Sequence, residues 1–470
     1  MCERLTRQSY RWCVAVFIVG WFLGPTEMLA QPAGPGPLAL NDAVQLALKN
    51  YPAIRESRAR SDAAQEGIAV ARTAYLPRLD MLWQQNRATR NNIFGLLLPQ
   101  GIVPPISGPV LGTQSSDSAW GSAAGALLSW DAIDFGYRRA NVDVARAQHS
   151  LASALNDLTR LDVAGGAADA FLTVLAADEA VRAARANVDR LQVFADTVGT
   201  LVRNQLRPGA DASRADAELA IAKNQLSQAV QSADIARATL ANAIGTPEAT
   251  IEVAMGRLTD LPEGPTAGLT DVKSHPAALA QSAVVDTVRA RERALGRSVF
   301  PHVIFQSVFA ERGSGAQVPG QPSLGNGLSP QLSNWAAGVS VTFPLLEVFT
   351  VDPRKRVEAQ NELAASARYE QTLQNLTTQD ARARALMKAA NDIAQNTPTE
   401  RRAATDAESR ARARYQNGLA SITEVAEAQR LLAQAEADDA VARLSVWRAL
   451  LAAAQVRGDL TPFLDKIRQP

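Results

Sequence analysis

The sequence is written twice, and any fold for it must house two copies of one unit. Leu48-Lys49-Asn50-Tyr51-Pro52 has a counterpart in Val272-Lys273-Ser274-His275-Pro276, and Tyr75-Leu76-Pro77 in Val299-Phe300-Pro301. Both proline pairs keep one offset of 224 residues (276 − 52 and 301 − 77). Further along, Leu128-Ser129-Trp130 resembles Val341-Thr342-Phe343, and Asp211 stands opposite Glu424, now at an offset of 213 (343 − 130 and 424 − 211). The drop of 11 fits a shorter loop in the second copy. Repetition on this scale outranks any single motif as a guide to architecture. It divides the chain into a first repeat over 31–245, a Pro-, Gly- and Thr-rich linker over 246–272, and a second repeat over 273–470.

Each half runs in the same order: helix, two strands around a loop, one very long helix, a shorter return helix. Asn41 is a candidate cap for a short helix ending before Pro52. After a second helix over 53–74 the period changes to two. Leu79, Met81 and Trp83 alternate with Arg78, Asp80 and Gln84, which predicts a strand over 77–89. The partner strand, 118–131, puts Trp120, Ala124, Ala126, Leu128 and Trp130 on one face and Gly121, Gly125, Ser129 and Asp131 on the other. The second half repeats this over 301–312 and 333–344, with Val303, Phe305 and Phe309 on one face. Trp335, Ala337, Val339, Val341 and Phe343 share the matching face of its partner. From 136 to 206 there is no proline, and Val188, Leu191, Ala195, Val198 and Val202 step by three and four, a coiled-coil seam. Leu151, Leu155 and Leu158 step likewise. At 1.5 Å per residue such a helix is roughly 105 Å long, far beyond a globular one. Arg207-Pro208-Gly209 turns the chain back. The second long helix covers 353–414 and turns at Asn417-Gly418.

The first 30 residues read as an export signal, with Arg4, Arg7 and Arg11 before the apolar run Trp12 to Gly24. That run is short for a bilayer span, and no other stretch is a transmembrane helix candidate. Cys2 and Cys13 both fall inside the signal, so the mature chain has no thiol, disulfide or lipidation cysteine. A net charge of +1 gives no basic field for nucleic acid. Hydrophobic residues make up 47% and aromatics 5%; the apolar content is mostly Ala, Leu and Val, which suits helices in close contact.

Four strands of about ten residues each are long enough to cross a bilayer when tilted. Backbone in lipid must be fully paired, so strands persist there only in a closed barrel. Four are too few, since membrane barrels begin at about eight. Several copies must therefore share one barrel, and three copies give twelve strands. Trp83, Trp120, Trp130 and Trp335 all fall in the strands, as lipid-interface aromatics would. The expected fold is mainly α with a membrane β-barrel: long antiparallel coiled-coil helices forming a tunnel, and four strands per subunit. The alternative is a periplasmic coiled-coil scaffold or adaptor protein without a pore.

The order of these elements resembles the TolC-like outer-membrane efflux family over nearly all of the mature chain. The opening Leu40-Asn41-Asp42-Ala43-Val44 through Pro52, the strand entry Tyr75-Leu76-Pro77 and the strand exit Leu128-Ser129-Trp130 are similar to that family's. So is the run Arg414-Tyr415-Gln416-Asn417-Gly418-Leu419-Ala420-Ser421-Ile422-Thr423-Glu424-Val425-Ala426-Glu427-Ala428-Gln429. The resemblance implies a homotrimer in the outer membrane with its helical part in the periplasm, docked to a periplasmic adaptor (membrane fusion) protein and an inner-membrane pump. The chain is then a passive exit duct of a tripartite efflux or type I secretion system. Glu424 and Glu427 match acidic positions lining the periplasmic aperture. Their i, i+3 spacing puts both on one helix face, where threefold copies place six carboxylates around one opening. The competing reading is a solvated face with Glu427 paired to Arg430. Tyr415 and Asp211 match residues that hold the aperture closed, although the family's basic partner falls at Ala420. Gly418, Leu419 and Ser421 match the adaptor-docking tip, whereas Arg207-Pro208-Gly209-Ala210 departs from that motif.

No catalytic residue, cofactor or metal site is expected. His149, His275 and His302 are far apart with no ligand spacing, and neither HExxH, a P-loop nor GxSxG occurs. The apolar run Ile93 to Leu98, in the loop 91–117, has no counterpart role in this scheme.

Overall fold

The computed structural model describes residues 37–89, 117–246, 251–262, 271–315 and 326–468. The expected signal over 1–30 and the apolar loop up to residue 116 lie outside them.

The first half begins with helices α1 (Leu40–Asn50) and α2 (Pro52–Thr73), then strands β1 (Arg78–Thr89) and β2 (Ser118–Ile133). Helix α3 (Tyr137–Arg203) follows, returning as α4 (Gly209–Ala243). The second half has α5 (Pro276–Arg297), β3 (His302–Ser314), β4 (Leu332–Thr342), α6 (Val348–Gln416), α7 (Ile422–Arg457) and a terminal α8 (Thr461–Arg468). Helices α2 and α5 are both 22 residues long, each starting on a proline at the first helical position, where the missing N–H costs nothing and the fixed φ already suits a helix. Asn41 is not a cap. Helix α1 begins at Leu40 behind Ala39, which makes no side-chain cap, so Asn41 lies inside the first turn.

The long helices have 67 and 69 residues, about 100 Å each. Proline 398 lies within α6, where it removes one backbone bond. At the start of α3, Asp134 does the capping. It accepts hydrogen bonds from the backbone N–H groups of Gly136 (3.1 Å) and Arg138 (2.6 Å) and from Arg138 Nε (2.9 Å). Burial alone would raise the carboxyl's pKa, but these bonds and the adjacent guanidinium outweigh it and hold Asp134 below the ordinary carboxylate range. Arg138 also stacks over Tyr75, 4.9 Å from the ring centroid, and donates to Ala74 and Ala132 carbonyls. One ion pair thus ties the end of α2, the end of β2 and the start of α3.

The four strands form one antiparallel sheet in the order β1-β2-β3-β4, with a register shift between Asp131 and Ile133. The ladder brings Met81, Ala126, Phe309 and Trp335 into one row. Leu79, Met81, Trp83, Phe309, Trp335, Val339 and Val341 are all exposed on this face. The opposite face carries the small buried cluster of Ala123, Val308 and Ala310. A Cβ on Gly125 would stand 2.9 Å from the Ala310 Cβ, so β2 and β3 meet closely there because glycine leaves room. The outer strands β1 and β4 each have one unpaired edge within the chain.

The main core lies midway along the helices, not in the sheet. Phe171, Leu172 and Leu175 of α3, Leu240 of α4 and Leu451 of α7 are buried with Leu40 and Val44 of α1 and Phe463 of α8. Trp447 packs edge-on to Phe463 at 6.3 Å, which is why this tryptophan lies apart from the strands. The segment joining the halves is docked here. Leu38 donates to Glu252 O (2.7 Å), Ala254 donates to Leu38 O (2.8 Å), and Trp447 Nε1 donates to Asp260 O (2.9 Å). Among the long helices, α3 packs against α2, α4, α5 and α7, and α6 packs against α5 and α7.

Candidate functional site

The two helical hairpins, α3–α4 and α6–α7, end together, and at that end the candidate residues converge. Gln205 enters the first turn with φ 59, and Gly418 closes the second with φ 75, left-handed backbone that glycine adopts without a Cβ clash. Ser421 begins α7 with a capping box: its hydroxyl accepts from Glu424 N (3.3 Å) while the Glu424 carboxylate accepts from Ser421 N (3.4 Å). Two of the helix's unpaired N–H groups are met this way.

Tyr415 lies at the centre, 2% exposed. Its hydroxyl donates to Asp211 Oδ2 at 2.9 Å, which joins the second hairpin to the first. Phe194 of α3 packs against its ring at 5.9 Å. The guanidinium of Arg207 lies over the ring, 4.4 Å from the centroid, and donates to the Tyr415 carbonyl. Burial first, and then the hydrogen bond to ionised Asp211, push the Tyr415 phenol up to about 12. Leu191, Ala195, Val198, Ala215, Leu219, Ile422 and Val425 complete the cluster, with Val188 and Val202 packed on it. The seam read over 188–202 is therefore buried at this end. Leu155, from the earlier run, stays exposed.

Sequence reasoning brought Asp211 and Tyr415 to this site and missed two residues that hold it. Arg207 enters the sequence pattern only as part of a divergent tip, yet its guanidinium is the cation that lies over Tyr415. Phe194 belongs to the helical stripe but had no signal of its own. Glu424 and Glu427 are not joined to this cluster. Both are exposed; Glu424 also lies 3.8 Å from Arg414, and Glu427 pairs with Arg430. Leu419 is exposed at the outermost turn, where Arg414 donates to its carbonyl at 3.2 Å.

Elsewhere, a cavity of about 340 Å³ between α3 and α7 is lined by Leu175, Met255, Leu258, Arg401, Asp439 and Leu444, among others. Its charges are paired: Arg401 reaches Asp439 at 3.3 Å, Arg182 pairs with Glu179, and Glu436 is met from outside the lining by Arg190 at 2.7 Å. Among the described residues there is no group of three or more metal-ligating side chains, and no helix long and apolar enough to cross a membrane.

The family model for outer membrane efflux proteins matches residues 43–246 and 274–458, one segment in each repeat. No curated protein matches the chain. Among solved structures, the fold is similar to the transmembrane channel CusC (TM-score 0.76, 15% identity, 92% of this chain and 96% of that one). It is also similar to VceC from Vibrio cholerae (0.72, 16%, 89% and 96%) and to the open-state MtrE channel of Neisseria gonorrhoeae (0.69, 20%, 89% of each). With the family model covering most of both repeats, the chain belongs to the outer membrane efflux protein family: it is an efflux channel subunit of the outer membrane, and not an enzyme.

Proposed function

We propose that three copies of the chain pool their sheets into a twelve-stranded barrel, and that their helices wall a tunnel running into the periplasm. The observation that carries this is a four-stranded sheet with one face of exposed large apolar side chains and two unpaired edges, mounted on helices about 100 Å long. In water such a sheet invites aggregation; in lipid its edges demand closure. The Trp83, Trp120, Trp130 and Trp335 side chains then meet lipid, with Trp120 and Trp130 nearest the two ends of the sheet. The hairpin tips form the narrow periplasmic end, held shut within each subunit by Tyr415, Asp211 and Arg207. Glu424 and Glu427 ring the aperture and favour cations there. Gly418, Leu419 and Ser421 present the surface that docks a periplasmic adaptor, which couples the duct to an inner-membrane pump.

Purified protein in planar bilayers tests this. Conductance with cation preference is expected, and Glu424→Ala with Glu427→Ala should weaken that preference. Protein that never inserts, and that is released from membranes without detergent, would return the question to a pore-less scaffold.

A further inference from the structure

The apolar face of the sheet does not stop where the strands do. Ile133, the last residue of β2, lies opposite Val303 and is exposed. Two residues on, Phe135 stands in left-handed backbone, with φ 49, which a bulky side chain rarely adopts. Its ring is 51% exposed and stacks on Phe300 of the other repeat, with 6.5 Å between centroids. In the second repeat, Leu345, Leu346 and Phe349 follow β4 and are 76%, 78% and 77% exposed. Backbone held so as to turn a phenyl ring outward is rewarded in hydrocarbon and not in water. These side chains form an apolar collar that continues the lipid-facing surface past the sheet and onto the first turns of the helices.

Directly behind the collar, positive charge gathers. Residues 291–297 and 347–356 hold six cations and three acids, a net +3 (6 − 3), where the whole chain carries +1. Two of these cations meet across the seam of α5 and α6. Lys355 lies against Gly296, its Cε and Nζ 4.0 Å from where a Cβ on that glycine would stand, and Arg297 is the next residue. The Arg297 guanidinium lies over the Phe300 ring, 5.4 Å from its centroid, so the charge touches the collar. Two turns earlier on α5, Arg289 is paired with Asp286 and Glu362. Among the described residues no carboxylate pairs with Arg293, Arg297 or Lys355.

We propose that this cluster is a headgroup site for an anionic phospholipid of the periplasmic leaflet. Its phosphate is held between Arg297 and Lys355, and its acyl chains lie along Phe300, Phe135 and the rest of the collar. The proposal rests on the sheet standing in lipid, as above, and adds which lipid its helix end selects. A guanidinium matches two phosphate oxygens at once, and an ammonium adds a point charge beside it. The carbonyls that end α5 also favour Arg297, but they do not account for a second cation brought in from α6. A zwitterionic headgroup carries an ammonium of its own, which two protein cations repel; a headgroup with net negative charge carries none. Basic side chains bordering an apolar surface attract anionic leaflets in this way.

Native mass spectrometry tests this on full-length protein released in mild detergent and given equal amounts of phosphatidylglycerol and phosphatidylethanolamine. Wild-type trimer should retain phosphatidylglycerol several-fold over phosphatidylethanolamine. Arg297→Gln with Lys355→Gln should bring the two to parity, while Arg297→Lys with Lys355→Arg should keep the preference. Should the double Gln variant lose the trimer, Lys355→Gln alone carries the test, with a smaller fall expected. Arg214→Gln with Arg410→Gln, exposed cations toward the hairpin tips, should change nothing. A wild-type trimer without preference overturns the site, as does a preference that survives loss of both cations or is abolished by the charge-conserving exchange. Binding of soluble glycerol phosphate as tight as that of the lipid overturns it too, since the collar would then add nothing. A monomeric wild type overturns the shared barrel itself, and the site with it.

Discussion

At the scale of single residues, two polar side chains do most to fix the molecule's ends. Tyr415 gives one hydroxyl to an ionised partner inside an apolar cluster, and hydrogen bonds to charged groups contribute about 1.5–3 kcal/mol. Asp211 keeps some contact with water, so Tyr415→Phe should loosen the tip by about 1–2 kcal/mol. A double-mutant cycle with Asp211→Asn isolates that coupling, and resting conductance in bilayers should rise. The phenol's folded pKa of about 12 lies above the unfolded value of roughly 10. Its contribution is therefore complete below pH 10 and is lost as pH climbs through 12; the alkaline limb of a melting curve should shift in wild type and not in Tyr415→Phe. Asp134 has the opposite sign. Its carboxyl is held below the usual range, so its contribution is present above about pH 4 and is lost as pH falls through the lower folded value. Asp134→Asn should flatten the acid limb and lower the neutral-pH melting temperature, since Arg138 would remain buried with its charge unmatched.

At the scale of elements, caps and close approaches decide where the chain turns and how flat the sheet lies. Ser421→Ala removes the side-chain bond of the capping box on α7, from Glu424 N to the Ser421 hydroxyl, and should destabilise the tip by about 1 kcal/mol, read as faster amide exchange over the first turn of α7 with the rest of the helix unchanged. Gly125→Val should do more damage than its strand propensity suggests. Its Cβ would meet the Ala310 Cβ and the Phe309 carbonyl, so the β2–β3 seam must part. A lower thermal midpoint with the helical core unchanged would report it. The period-two alternation made the faces of these strands readable beforehand. Where α2 and the sheet lock onto α3 was not readable, because Asp134 and Arg138 acquire their partners only when three elements meet.

At the scale of the whole molecule, the main core and the candidate site lie in different places. The dry core is midway along the helices around Phe171, fully buried among side chains from five helices. Phe171→Ala should therefore cost about 3–5 kcal/mol, visible as a large fall in thermal midpoint, while neither the sheet nor the tip touches that site. By itself the sequence determined the doubling, the strand faces, the great length of α3 and α6 and the family, since periodicity and repeat offsets are local properties that survive without contacts. Asp211 and Tyr415 were singled out by the resemblance to the efflux family, which matches them to residues at the aperture. Only the tertiary structure decided that Arg207 stands over the Tyr415 ring, and that the joining segment docks beside Trp447. These depend on which surfaces meet after two hairpins fold back over about 200 residues, and separation along the chain carries no record of that.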